Sequence, residues 1–185
     1  SETSVIKTYN RFKAHRVLTP QKILETGWEG LVRILDEGGY TRYDFKTSDK
    51  LLEVMNNLNS RYKGSLNLLH EKSSDSKDLE KRLKDLGKGI GDVTVSIFLR
   101  ELRGVWKKAD PAPTFLVILA AKNLGIIRKE EPEKALEELK RFWDRNAVPG
   151  RTFIEFETAL LKLGKGFCRR KRCRKCPIER YCPAS

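Results

Sequence analysis

Apolar residues recur along nearly the whole chain at the three- and four-residue spacing of amphipathic helices. One such face carries Leu31, Ile34 and Leu35, and a later face carries Phe153 and Leu160. The pattern predicts helices over about residues 20–24, 28–36, 48–58, 79–86, 93–102, 115–121, 132–143 and 152–163. The polar residues 71–77 are predicted to form a loop or a helix cap ahead of the helix that carries Leu79.

The ends of these segments carry residues that start and stop helices. Thr19 and Pro20 form an N-cap and first-turn pair, and the glycines at 38–39 end the second predicted helix. The apolar residues 115–121 are few enough for a buried strand, but no other β-rich segment is available to pair with them. The sequence therefore predicts an all-α fold.

Composition and charge narrow the class of protein. The 185 residues include 39% hydrophobic and 34% charged side chains, which is typical of a folded domain and not of a disordered chain. No apolar run approaches the roughly 20 residues of a membrane span, and no apolar leader is visible, so we expect neither membrane insertion nor secretion. The net charge of +13 favours a polyanionic partner. The single Met and single Gln favour a thermophilic source. We also expect the protein to be a monomer.

Residues 87–91 join two predicted helices through three glycines, in the order Gly87-Lys88-Gly89-Ile90-Gly91. Glycine permits positive φ and close backbone approach, and the amides that open the next helix can bind a phosphate oxygen. A tight helix–helix turn without any ligand explains the same spacing. The carboxylate of Asp92 either opposes an anion or satisfies the helix N-terminus.

The segment from Gly89 to Ser96 resembles the helix-hairpin-helix of the endonuclease III-like DNA glycosylases, where Leu-Pro-Gly-Val-Gly precedes a helix. Gly87 and Lys88 replace the Leu-Pro of that motif. The resemblance implies that residues 87–91 and Thr94 contact DNA.

The same resemblance assigns a catalytic carboxylate. In these enzymes an aspartate soon after the hairpin helix is catalytic, and Asp110 stands at the matching position. Val93 occupies the position where bifunctional members carry the Schiff-base lysine. Asp110 before Pro111 is also an ordinary helix N-cap with proline in the first turn, and that interpretation needs no catalysis.

All four cysteines lie near the C-terminus, in the pattern Cys168-x4-Cys173-x2-Cys176-x5-Cys182. Four thiolates so close in sequence can surround one metal centre, either a [4Fe–4S] cluster or tetrahedral zinc. Their clustering favours a metal site in a reducing compartment over disulfides. The pattern resembles the iron–sulfur loop of the same glycosylases, Cys-x6-Cys-x2-Cys-x5-Cys, with a shorter first gap, and this implies a [4Fe–4S] cluster with a structural role.

Basic side chains are interleaved with these cysteines. The six that we call the basic loop are Arg169, Arg170, Lys171, Arg172, Arg174 and Lys175. A run of charge often marks only a solvated face, but on a loop held by a metal centre we expect it to bind DNA phosphates.

The resemblance implies a base-excision repair glycosylase that flips a damaged or mismatched base out of double-stranded DNA and removes it by hydrolysis. Because Val93 cannot form an imine, we expect a monofunctional enzyme. The alternatives are a non-catalytic iron–sulfur protein that binds DNA or senses damage, and a zinc-containing RNA-binding protein. The expected location is the cytoplasm, in association with the nucleoid.

The predicted organisation is a helical lobe over residues 19–130, with the helix-hairpin-helix at about 77–103. The C-terminal helices and the cluster loop follow over 131–185, and the loop itself covers 168–182. Residues 1–18 are expected either to contribute to a second lobe or to be poorly ordered.

Overall fold

The computed structural model describes residues 2–184, and every regular element in that range is helical. The prediction of an all-α fold is confirmed. The α-helices are α1 (Glu2–Ala14), α2 (Pro20–Glu37), α3 (Asp44–Tyr62), α4 (Leu66–Lys72), α5 (Ser76–Lys84), α6 (Asp92–Glu101), α7 (Phe115–Asn123), α8 (Pro132–Asn146) and α9 (Phe153–Gly166). Within residues 2–184 no helix is both long and apolar enough to cross a membrane.

The chain forms two compact units that divide between Val95 and Ser96, inside α6. The sequence analysis placed its boundary after residue 130. In the first unit, α1, α2 and α3 pack on one another around a small core. Its buried members include Ile23, Leu31 and Ile34.

The core of the second unit is built mainly from α7, α8 and α9. The α7 side chains Val117, Ala120 and Ala121 are fully buried, which explains why this helix is apolar nearly all round. Helices α7 and α9 pack closely because residue 164 is glycine: a Cβ atom at Gly164 would lie 2.1 Å from the carbonyl oxygen of Leu116.

Several segments differ from the prediction. Residues 20–24 and 28–36 belong to one helical stretch, interrupted at Gly27, where φ is +65°. The loop or cap predicted over residues 71–77 includes the N-cap of α5, Asp75, but it is shorter than predicted, because α4 continues to Lys72 and α5 begins at Ser76. Residues 2–14, for which no helix was predicted, form α1 and pack on α2.

Candidate functional site

The glycine-rich hairpin between α5 and α6 is held by one face of α3. The side-chain amide of Asn57 donates to the carbonyl of Leu86 at 2.9 Å, and Arg61 donates to the carbonyl of Asp85 at 3.0 Å. One turn earlier on α3, Glu53 accepts from the amide of Lys88 at 3.2 Å. Side chains four residues apart on a helix lie on one face, so α3 fixes the backbone of the hairpin at three successive points.

Each glycine of the hairpin meets a different requirement. Gly87 is buried, and a Cβ atom there would lie 2.6 Å from a methyl group of Val54, so this glycine permits packing and is not presented to a ligand. Gly89 has φ of +92°, which favours glycine. Gly91 is exposed, and a Cβ atom at this position would have no neighbour within 4 Å.

The start of α6 carries the groups that could bind a phosphate. Helix α6 begins at Asp92, so the amides of its first turn have no acceptor within the helix. The carboxylate of Asp92 forms an ion pair with Lys84, and the hydrogen bond from Lys84 lowers the pKa of Asp92. Lys84 therefore offsets the negative charge at this helix end. Val93 and Thr94 are both exposed on the first turn.

The predicted catalytic residue Asp110 lies in the second unit, in the segment that leads into α7. The helix begins at Phe115 with Thr114 as its N-cap, so the interpretation of Asp110 as an N-cap is wrong. The two carboxylate oxygens of Asp110 instead contact two cations. Arg103 approaches one oxygen at 3.1 Å, and the amine of Lys140 approaches the other at 2.5 Å. The carboxylate remains 42% exposed.

Arg103 connects Asp110 to a buried carboxylate. The side chain of Arg103 is 9% exposed, and its guanidinium pairs with Glu157 of α9, which is 3% exposed. It also donates to the carbonyl of Pro111 and lies over the ring of Phe153, at 5.1 Å from the centroid. With these contacts, Arg103 has a single orientation in which it reaches Asp110.

Burial raises the pKa of Glu157, and the neighbouring Arg103 opposes part of that rise. Nearby Asp110 adds to the rise, because a second negative charge disfavours ionisation. The neutral form of Glu157 is therefore favoured relative to an exposed glutamate. The ionised form depends on Arg103 as its main compensating charge.

Of the charged side chains around this carboxylate, only Asp110 itself was predicted from the sequence; Arg103, Lys140 and Glu157 were not. The sequence contains a signal for one of these residues, Glu157. Glu157 lies four residues after Phe153 and three before Leu160, on the face of α9 that the apolar pattern assigns to the core. An acid on such a face requires a buried partner. Lys140 carried no comparable signal, because its distance from Asp110 is a property of tertiary packing.

The cysteine segment folds over the end of α9 as three short 3-10 turns, Cys168–Arg170, Cys173–Lys175 and Glu179–Tyr181. The four predicted metal ligands, Cys168, Cys173, Cys176 and Cys182, line one cavity together with Asn123 and Phe167. Burial raises the pKa of the Cys168 thiol, and the three other thiols add to this effect. The turns thus bring together four side chains that span fifteen sequence positions.

The arrangement of these thiols bears on the kind of metal centre. A tetrahedral zinc ion is about 2.3 Å from each sulfur, so its ligands must lie within about 4 Å of one another. Among residues 2–184, no three His, Cys, Asp or Glu side chains are placed so that they could hold a metal ion. In a [4Fe–4S] cluster the thiolates are separated by iron and sulfide, and each thiolate binds its own iron. Four thiols that line one cavity supply the number of ligands that either centre requires.

All six cations of the basic loop are exposed. Four of them, Lys171, Arg172, Arg174 and Lys175, line one shallow concave surface with Cys173. Within the described part of the chain, none of the six forms an ion pair with an acidic side chain. The surface is thus a concentration of uncompensated positive charge.

Compared with known proteins, the sequence matches no protein-family model and no curated protein. The side chains of this chain must therefore carry any assignment of function.

Proposed function

We propose that the protein is a DNA glycosylase of the helix-hairpin-helix type, which removes a damaged or mismatched base from double-stranded DNA by hydrolysis. The observation that supports this proposal most directly is the environment of Asp110. Its carboxylate is 42% exposed, yet both oxygens are oriented by cations, one of which is held by buried partners. An accessible carboxylate with a fixed direction is what stabilisation of a developing positive charge requires.

The proposed reaction follows from that geometry. The base is turned out of the duplex so that its sugar can reach the carboxylate. As the bond between base and sugar breaks, positive charge develops on the anomeric carbon and ring oxygen. Asp110 stabilises this charge and accepts a proton from the attacking water. Arg103 keeps the carboxylate oriented, because Glu157, the Pro111 carbonyl and the Phe153 ring hold the guanidinium in place.

Binding to DNA is assigned to two surfaces, one in each unit. The exposed residues at the start of α6 offer backbone amides to a phosphate, and the α3 contacts hold that turn rigid. The basic loop offers six exposed cations that pair with no acidic side chain in the part of the chain that the structure describes. Both surfaces bind phosphates and carry no base specificity, which depends on contacts with the flipped base.

A [4Fe–4S] cluster on Cys168, Cys173, Cys176 and Cys182 is part of the proposal. The four thiols around one cavity support it. The cluster would brace the loop and so keep the basic side chains in position. The described segment has only short 3-10 turns to hold it, so a covalent brace has a clear structural purpose.

The decisive experiment replaces Asp110 by asparagine. The amide keeps the shape of the side chain but cannot stabilise a cationic sugar equally well, so base release should fall by about 10²-fold or more. Affinity for a duplex should change little, because the phosphate contacts are elsewhere. The matched control is Asp144→Asn, an exposed acid on α8, which should release base at the wild-type rate. The assay is a panel of duplexes, each with one modified or mismatched base.

One observation favours a second candidate, a non-catalytic protein that binds DNA. Each oxygen of Asp110 already has a cationic partner, as expected of a structural ion pair. The same panel separates the two functions. If the wild-type protein binds duplex DNA but releases no base from any member of the panel, the binding protein is the correct assignment.

A further inference from the structure

An apolar groove lies in the first unit, between α1 and α3, with α2 beneath it. Helices α1 and α3 each pack on α2 but hardly on each other, which leaves the groove open between them. Its volume is about 450 Å³, and it is lined mostly by apolar side chains. We call it the α1–α3 groove, and its lining includes Val5, Tyr9, Phe12, Ile23, Leu35 and Leu51.

The groove presents apolar surface that the fold leaves uncovered. Ile23 and Leu35 of α2 are buried at its floor. Val5 and Tyr9 of α1, and Leu18 in the loop that follows, also line the groove and are exposed. Val5 and Tyr9 are four residues apart, so they lie on one face of α1. Single exposed apolar residues are ordinary, but an apolar groove that polar residues surround marks a site of interaction.

The residues next in sequence to the lining side chains are strongly basic. Seven of them are cations, namely Lys7, Arg11, Lys13, Arg16, Lys22, Lys46 and Lys50. In the part of the chain that the structure describes, Lys22 is the only one of the seven that forms an ion pair with an acid. The one acid among these neighbours is Asp36, and burial and a hydrogen bond with Asp44 raise its pKa. The groove therefore favours an occupant that carries negative charge beside its apolar groups.

The shape and charge of the groove identify the kind of occupant. An extended peptide needs the open edge of a sheet for its main-chain hydrogen bonds, and residues 2–184 form no strand. A helix satisfies its own main chain and can lie between α1 and α3 at the usual packing distance of about 8–10 Å. A second copy of this chain, with its net charge of +13, would be repelled. DNA offers negative charge but no apolar face to bury, and a flat lipid surface does not fill a concave groove.

We propose that the α1–α3 groove binds an amphipathic helix of a partner protein, with the apolar face of that helix in the groove and acidic side chains along its edges. Apolar residues three and four positions apart on the partner would cover Val5, Tyr9 and Leu51. The acids would lie near exposed cations such as Lys13 and Arg16. This interaction goes beyond the proposed function, because the groove includes none of the residues assigned to catalysis or to DNA.

The test uses the full chain and a displayed library of 18-residue helical peptides in which both the apolar and the polar positions vary. Peptides that the wild-type protein enriches should carry apolar residues at helical spacing and a net negative charge. Val5→Gln should weaken their binding by about 10-fold or more, because the apolar contact of one valine is lost. The matched control is Val105→Gln in the second unit, which should bind like the wild type. Val105 is 71% exposed and Val5 is 62% exposed, so both variants should keep the wild-type melting temperature.

Charge is tested separately with one enriched peptide and an analogue in which lysine replaces each of its acids. Lys13→Glu should weaken binding of the acidic peptide by about twofold to fivefold, the range of an exposed ion pair, and should strengthen binding of the analogue. The proposal is overturned if no peptide is enriched, if the enriched peptides are neutral or basic, or if they bind Val5→Gln as tightly as the wild type. It is also overturned if Val5→Gln abolishes a dimer seen in sedimentation. Binding to vesicles of phosphatidylglycerol and phosphatidylcholine that Val5→Gln abolishes would instead assign the groove to lipid.

Discussion

Replacement of Arg103 by methionine tests the organisation of the proposed active site. Methionine has a similar length and fills the same space, but it removes the charge that compensates Glu157. Glu157 is 3% exposed and Arg103 is 9% exposed, so water cannot replace the lost partner. The values of 0–1 kcal/mol that are measured for exposed ion pairs do not apply at this position.

The expected loss in the free energy of unfolding follows from the burial of Arg103 and Glu157. Breaking a buried pair by removal of one partner costs about 3–5 kcal/mol, because a charge is left buried without compensation. In a chain of this length, 1 kcal/mol lowers the melting temperature by about 2–4 °C, so the protein should melt roughly 6–20 °C lower. The control is Arg141→Met, whose partner Glu137 is exposed on the same helix face. That variant should lose less than about 1 kcal/mol.

The loss of stability in Arg103→Met should depend on pH, and the pKa of Glu157 determines the direction of that dependence. Burial already raises this pKa above its ordinary value of 4.5, and removal of Arg103 raises it further. Below about pH 4.5 Glu157 is protonated in both the folded and the unfolded chain, so no charge is buried and the deficit disappears. As pH rises from about 4.5 toward the raised folded pKa, the unfolded chain ionises first and stability is lost. Glu157→Gln in the Arg103→Met background should restore most of the stability at pH 7, because an amide needs no counter-charge.

Thermal and urea unfolding, followed by circular dichroism between pH 4 and 8, measures these differences. The reasoning is refuted if Arg103→Met loses less than about 1 kcal/mol at pH 7, as an exposed pair would. It is also refuted if the double variant is no more stable than the single one. Either result would mean that the Arg103–Glu157 contact is not a compensated buried pair.

Three further predictions address packing, metal content and DNA binding. Gly164→Ala should cost about 1–3 kcal/mol in urea unfolding, because its Cβ would lie 2.1 Å from the Leu116 carbonyl. Gly166→Ala, with no neighbour within 4 Å, should instead be neutral or stabilising by up to about 1 kcal/mol, and equal effects would contradict the packing described. Protein purified without oxygen should contain about four iron and four sulfide per chain, and Cys173→Ser should lose both. Stoichiometric zinc without sulfide would exclude the cluster. Neutralising the first four cations of the basic loop should reduce the salt dependence of duplex binding by about 0.9 per lost phosphate contact, whereas an unchanged slope would mean that the loop does not contact DNA.

The helical class could be predicted because it depends on short-range pattern. The capping box at the start of α9, in which Thr152 and Glu155 exchange hydrogen bonds, is complete within four residues. The gap predicted between residues 24 and 28 contains the non-helical Gly27, although the two segments on either side form one helical stretch. Helix α3 extends beyond its predicted bounds at both ends, and α4 was not predicted. With only seven residues, α4 is too short to be stable by itself and depends on packing that periodicity does not describe.

The sequence by itself also determined which residues carry the candidate chemistry: the spacing of the four cysteines, the glycines of the hairpin, the charge of the basic loop and the position of Asp110. Only the tertiary structure decided what surrounds them. The contacts of Glu53, Asn57 and Arg61 with the hairpin join α3 to a turn more than twenty positions away. Lys140 reaches Asp110 across thirty positions, and Arg103 reaches Glu157 across 54. Hydrophobic periodicity indicates which face of a helix is buried. It does not distinguish a charged side chain that faces water from one that faces a distant partner. These ion pairs therefore form only when the helices pack.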